Sequence, residues 1–439
     1  MRRRLARLVF RHFLAACATA AALGLVLGGA LSCTDADPLT PAPPAAGAPM
    51  SEALDPAAPV PEGPAAGAAG TPLARADGLK QEALGAVRQA LADYPDDPSL
   101  GVLLGSAHLA AGNSVEANAC WQEAVRRHPN LASAYDAMAA VATAEGNLAD
   151  AAALWRQAVA ADPARADMRE RLARVLIDVG RPAEAVTALA DAPPSAAPSA
   201  EGHFLLGQAY LALGDAEKAR QACEAAIQAD PRHARAHYGL ATALARIGQV
   251  EKARLCRATF ERMKADELRT VRGMTDDAAT DLAALGRRVA QILAGVAGVY
   301  AGHGRSEKAE PLWQRAAAVD AIDTDSRLRL AMLYAQTGRL AAAEAAFRDV
   351  VRLAPERSWG YQGLAQICMA TPARLAEARA HAEAAARLDP VAPNYALLGE
   401  VCRRAGDAAG ARAAFGRAAE LDPANADYRR KYESLKGRE

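Results

Sequence analysis

The chain has 439 residues, 51% of them hydrophobic but only 5% aromatic, and its 51 basic residues are matched by 51 acidic ones. A single compact core would be unusual at that length, and an apolar content made largely of Ala and Leu favours helix over strand. The balanced charge offers no basic stripe for a phosphate backbone, so nucleic acid is not an expected partner.

At the N-terminus Arg2, Arg3, Arg4, Arg7 and Arg11 precede a stretch, Leu14 to Ser32, that carries no charge. Such an order predicts a secretory signal over residues 1–33. The stretch closes on Gly29-Ala30-Leu31-Ser32-Cys33, which resembles the lipobox of bacterial lipoproteins. That resemblance implies cleavage before Cys33, a diacylglycerol on its thiol and acylation of the new amine. Ser32 is small, as the cleavage requires, whereas Ala30 stands where Leu is commoner. Cys17 follows Leu14-Ala15-Ala16, but Arg11 and His12 lie too close before it for an apolar segment. The same residues admit an uncleaved anchor, since an apolar run of about 20 residues spans a bilayer, or an ordinary cleaved signal. All three readings put the remainder outside the cytoplasm, and two or three acyl chains would hold it stably. Thr34 follows the cysteine; in enterobacterial lipoprotein sorting an Asp there retains a protein in the inner membrane, so similarity favours the outer membrane. Without residues 1–33 the balance becomes 46 basic against 51 acidic, a net charge of −5.

Residues 34–75 hold ten prolines among Ala and Gly runs, as in Pro41-Ala42-Pro43-Pro44. They read as a disordered or partly polyproline tether, with a reach of at most roughly 120 Å at about 3 Å per residue.

From residue 98 onward a spaced pattern recurs every 34 residues. Gly112, Ala117, Trp121, Ala124 and Pro129 are followed by Gly146, Ala151, Trp155, Ala158 and Pro163, and later by Gly214, Ala219, Cys223, Ala226 and Pro231. A degraded copy keeps Gly180, Ala185 and Leu189 but runs into Pro193 and Pro194; later copies centre on Trp313, Phe347 and Phe415. Each unit predicts a helix, a Gly-centred turn, a second helix and a proline that ends it. First helices carry paired residues such as Leu104 with Gly105, Leu206 with Gly207 and Leu398 with Gly399. Small residues on one face let a neighbour approach while the aromatic fills the remaining gap. One unit cannot bury its apolar face, so units must stack.

The pattern resembles the tetratricopeptide repeat family, over residues 98–267 as five units and 290–425 as four more, with a lone second helix near Ala83 and Ala90 before them. The resemblance implies an all-α, right-handed superhelical solenoid of helix-turn-helix repeats in two lobes. The boundaries expected are a first lobe at 76–267, a helical insert at 268–289, a second lobe at 290–425 and a C-terminal capping helix at 426–439. Within the insert, Asp276 and Asp277 read as the first turn of a long helix continuing through Leu282, Leu285, Val289 and Ile292.

In that family, positions two, five, nine and twelve of each first helix line a concave groove. The matching residues here include Val102, Ser106, Phe204, Gln208, Tyr238, Thr242, Leu328, Met332, Trp359, Gln362 and Gln366. They are mostly neutral, and the Lys and Asn clamp for a C-terminal carboxylate is missing, so an extended or helical segment with apolar anchors is the expected ligand.

Chemistry-bearing motifs are not apparent: there is no P-loop, His-Glu-x-x-His, Cys-x-x-Cys or Gly-x-Ser-x-Gly, so neither catalysis, a cofactor nor a metal is expected. The nearest ligand set, His203, His233 and His237, reads as packing and solvent contact. Besides Cys17 and Cys33 there are five cysteines, at 120, 223, 256, 368 and 402, at packing positions of helices. They read as small buried hydrophobes rather than a disulfide framework. The expectation is a non-enzymatic, exported, lipid-anchored scaffold on the periplasmic side of the envelope that binds other envelope proteins or peptide segments. Its alternatives are a pilotin-like or outer-membrane assembly factor and an accessory subunit of an envelope enzyme complex.

Overall fold

The computed structural model describes residues 71–193, 197–271 and 277–435. The signal, lipidation and most of the tether readings, Cys33 included, lie outside the described residues, as do Pro194 and Asp276.

Every regular element described is helical, and two kinds of helix alternate. The second helices are α1 (Pro72–Asp93), α3 (Ser114–Arg127), α5 (Leu148–Ala161), α7 (Pro182–Ala190), α9 (Ala216–Ala229), α11 (Val250–Val271), α13 (Ser306–Val319), α15 (Leu340–Leu353), α17 (Leu375–Leu388) and α19 (Ala408–Leu421). The first helices are α2 (Pro98–Ala110), α4 (Ala132–Ala144), α6 (Ala166–Asp178), α8 (Ala200–Leu213), α10 (Ala234–Arg246), α12 (Asp277–Gly302), α14 (Thr324–Gln336), α16 (Ser358–Met369), α18 (Ala392–Arg404) and α20 (Ala426–Glu433).

The turns follow from backbone sterics. Eight turn glycines, from Gly112 at φ 89° to Gly406 at φ 79°, are left-handed, a conformation other L-residues adopt only with strain. At the first of them the amides of Gly112 and Asn113 turn back onto the carbonyls of Leu109 and His108, at 3.0 and 2.9 Å, and close α2. The α16–α17 hairpin has no such glycine. There a short 3₁₀ turn, Pro372–Arg374, starts α17 one residue later than the 34-residue register places it.

Pairing within a hairpin explains the spacing of glycine and aromatic. A Cβ on Gly105 would lie 2.2–2.6 Å from atoms of the Trp121 indole, so the missing side chain is the notch that the ring occupies. The ring is 1% exposed, and its Nε1 donates to the Val102 carbonyl at 3.1 Å. Cys223 fills the same notch at Gly207, Phe415 fills it at Gly399, and Phe347 lies against Gly363. Alanines at 0% exposure, among them Ala117, Ala158, Ala219 and Ala411, keep the helix faces thin enough for these contacts.

Several successive first helices touch one another, as α6 does α8 and α8 does α10, whereas second helices make no comparable contact with each other. First helices therefore form the tighter wall of the stack and second helices its outer layer. Repetition of paired helices in this way defines an all-α helix-turn-helix solenoid.

One pairing breaks the neighbour rule. The lone second helix α1 precedes any first helix of its own, and α12, from far along the chain, packs beside both α1 and α2. Val87 and Ala90 of α1, Leu100 of α2, and Val289, Leu293 and Val296 of α12 share one core with Trp313 of α13. The Tyr300 hydroxyl donates to Asp93 Oδ2 at 2.7 Å, and Arg315 donates to both oxygens of Glu82 at 2.7 and 2.9 Å. Tyr94 stacks on His303 with ring centroids 4.0 Å apart. Thus α12 acts as first helix to α13, its sequence neighbour, and also to α1. Its segment Asp281–Gly302 is long and apolar enough by composition to cross a membrane, but its buried residues are covered by α1, α2 and α13.

The junction gives a pH prediction. Hydrogen bonds from Lys308 and then Tyr300 outweigh burial and hold the Asp93 carboxyl below its ordinary 3.8. A carboxylate with a lowered folded pKa contributes stability that is present above its ordinary value and is lost as pH falls through the lowered one. Melting curves from neutral pH down to about pH 2 are expected to fall less steeply in the acid range for Asp93→Asn than for the parent. Parallel curves would remove Asp93 from the acid response.

All five cysteines within the described residues are free, with Cys223, Cys368 and Cys402 buried. Burial pushes the Cys223 thiol up to about 12, in keeping with an inert packing residue.

Candidate partner-binding groove

The expected groove residues sit on first helices, and their environments differ. On α2, Val102 and Ser106 are half-buried; the Val102 carbonyl accepts from Trp121, and the Ser106 hydroxyl donates back to the same carbonyl at 3.0 Å. On α8, Gln208 is exposed, but Phe204 is 3% exposed and packs with Ala226, Ala236 and Ile227. Phe204 is thus a core ring, because the following hairpin closes over it and Arg235 lies 5.2 Å from its centroid. On α10, Tyr238 is 49% exposed with its ring 5.2 Å from that of Phe260, and Thr242 beside it is half-buried.

In the later units Leu328 and Met332 on α14 are half-buried and pack around Phe347 and Leu364. Trp359 on α16 is half-buried under the Arg357 guanidinium, 5.1 Å from its ring. The Gln362 amide donates to Asn394 Oδ1 at 2.7 Å and to the Ser358 hydroxyl at 3.2 Å, while Gln366 is half-buried one turn further on. Gln362 is therefore engaged with the next first helix, and Tyr238, Gln208 and Trp359 offer the more open surface.

Between these positions the wall is charged, contrary to the mostly neutral surface expected. Glu201 on α8 accepts from Arg174 of α6, from Arg235 Nη2 at 2.8 Å and from His233 Nε2 at 2.8 Å. Asp136 on α4 accepts from Arg171 at 3.0 Å and from the Trp155 indole at 2.8 Å. The Arg171, Arg174 and Arg235 side chains are 44%, 42% and 54% exposed, against 18% and 23% for Asp136 and Glu201. The acids lie deeper and hold the guanidinium groups outward. Burial raises the Glu201 pKa, but the hydrogen bonds from His233 and Arg174 prevail and keep the carboxyl below its ordinary range. Sequence spacing could have found this ladder: Asp136, Arg174, Glu201 and Arg235 occupy positions five, nine, two and two of their units.

The same contacts account for one of the three histidines, His233. His233 Nδ1 accepts from the Ala236 amide at 3.1 Å and caps α10, which leaves Nε2 to carry the proton it shares with Glu201. His237 Nε2 lies 3.1 Å from the Pro231 carbonyl, and His203 is half-buried on α8. A different set, Cys368, Glu377 and His381, does bring three metal-capable atoms within 4.8 Å of one another. No spacing motif marks this set, because Cys368 is on the helix before the irregular turn.

Family models described as tetratricopeptide repeat match residues 142–209, then 204–259 and 297–358, and finally 392–425. These matches support membership of the tetratricopeptide-repeat family. Among curated proteins none matches the chain. Solved structures similar to it include MamA 41-end from Desulfovibrio magneticus RS-1, 20% identical, covering 39% of this chain and 97% of that one at a TM-score of 0.35. YrrB, a tetratricopeptide-repeat protein with an unusual peptide-binding site, is 20% identical and covers 43% of this chain and 96% of its own, at a TM-score of 0.37. PilF of Pseudomonas aeruginosa is 18% identical, over 56% of this chain and 93% of its own, at a TM-score of 0.32.

Proposed function

We propose that the chain is a non-enzymatic protein-interaction scaffold of the bacterial cell envelope, anchored by lipid on Cys33 and binding partner segments along its first-helix wall. The observation that carries this reading is the wall of first helices from α6 through α8 to α10, on which an open aromatic, Tyr238, shares α10 with Arg235, the end of a ladder of outward-held arginines. Such a surface suits an extended or helical segment with apolar anchors and acidic flanks. The lobes at 76–267 and 290–425, the tether at 34–75 and the periplasmic, outer-membrane placement belong to the same proposal.

A membrane pull-down of the tagged full chain, with mass spectrometry of bound partners and of the N-terminal peptide, tests it. An acylated Cys33 with a stoichiometric envelope partner is the expected result. An intact, unmodified N-terminus would replace the lipid anchor with a signal anchor, and loss of every partner on washing would remove the scaffold reading. A secretin or pilus component among the partners would make the chain an escort in assembly.

With a partner in hand, Tyr238→Ala is expected to weaken binding roughly fivefold or more, the range of a buried aromatic anchor, with helicity unchanged. Unchanged affinity would exclude that part of the wall.

A further inference from the structure

We propose that Cys368, Glu377 and His381 form a binding site for one Zn²⁺ ion, built into the α16–α17 hairpin. Their Sγ, carboxylate oxygen and ring nitrogen all lie within 4.8 Å of one another, and His381 Nε2 is 3.8 Å from Glu377 Oε1. Bonds of about 2.0–2.3 Å to sulfur, nitrogen and oxygen place tetrahedral ligand atoms roughly 3.3–3.8 Å apart, so small rotamer changes close the set.

The hairpin differs from its neighbours in the way such a site needs. Its 3₁₀ turn shifts α17 by one residue, which puts Ala378 and Ala382, both 0% exposed, at the buried places. Ala382 thus stands where other hairpins carry Trp121, Trp155, Phe347 or Phe415. Glu377 and His381, one helical turn apart, share the adjoining face, and Cys368 reaches them from α16. The thiol is 0% exposed, while the Glu377 and His381 side chains are 42% and 24% exposed, so an ion is reached from the outside and held from within. Arg374 donates to Glu377 at 2.8 and 3.0 Å and to Glu344 at 2.7 and 2.9 Å, which fixes the carboxylate in place.

Protonation fits two of the ligands and opposes the third. Arg374 holds the Glu377 carboxyl down at about 2, and burial lowers the His381 pKa, so these two are ready to ligate at neutral pH. Burial pushes the Cys368 thiol up to about 11, so the ion must displace its proton to solvent as the sulfur–metal bond forms. A mixed set of thiolate, imidazole and carboxylate suits zinc, and the fourth position is left to water.

Titration of the full chain with Co²⁺, a visible stand-in for zinc, tests the proposal. One tightly bound ion per chain is expected, with a thiolate-to-cobalt charge-transfer band that one equivalent of Zn²⁺ removes. Cys368→Ser should abolish the band, and His381→Gln should weaken binding about tenfold or more. Circular dichroism checks that each variant is folded; should Cys368→Ser unfold, the surface variant His381→Gln decides. Absence of the band in the parent, its persistence in folded Cys368→Ser, or unchanged affinity in His381→Gln would overturn the site.

Discussion

Trp121→Ala is expected to destabilise the first hairpin by about 3–5 kcal/mol, the range for removing a fully buried large aromatic. The indole is 1% exposed, it fills the space left by Gly105, and its ring nitrogen satisfies the Val102 carbonyl. Truncation leaves a cavity on both helices and takes a partner from that carbonyl. Each unit of a solenoid leans mainly on its neighbours, so the loss should be read locally. Hydrogen exchange should speed up in α2 and α3 while α14 to α19 keep their protection. A change below about 1 kcal/mol would mean that the surroundings collapse into the gap, and that the notch at Gly105 does not set the spacing of the pair.

A second large effect is expected from Val87→Asp. Val87 is 0% exposed in the core that joins α1 and α2 to α12 and α13, where a carboxylate finds no cation within the apolar cluster. An unpaired buried charge costs about 3–5 kcal/mol. The informative readout is where exchange increases. Asp93 and Tyr300 are bonded across 207 residues of sequence, so protection should fall in α12 as well as in α1. Faster exchange confined to α1 would show that α12 is held by α2 and α13 without it.

The hairpins were legible in the sequence because their causes are local. A left-handed turn needs glycine, a close approach needs Gly105 or Gly207, and the space so defined needs Trp121 or Cys223, all at fixed offsets. Pairing of α1 with α12 has no such signal. Periodicity says which neighbours stack, and a lone second helix says only that a partner is missing. The burial of Phe204 is hidden for a related reason: its position faces the wall in general, but here Ala236 and Arg235 of the next unit close over it. The arginine ladder is readable from its register, since its members fall at positions five, nine and two of their units. The Cys368, Glu377 and His381 set depends on a one-residue slip at Pro372–Arg374, which moves side chains by a quarter turn or more and which spacing alone does not resolve.

Open solenoids stretch as springs, since each interface gives a little and the ends are free. Here the start of the first array, α1, lies against α12, and α12 follows α11, the last helix of that array, after only residues 272–276. The array's first helix is therefore not a free end: a pull on α1 meets the apolar seam of Val87, Val289 and Val296 before any hairpin further along has to open.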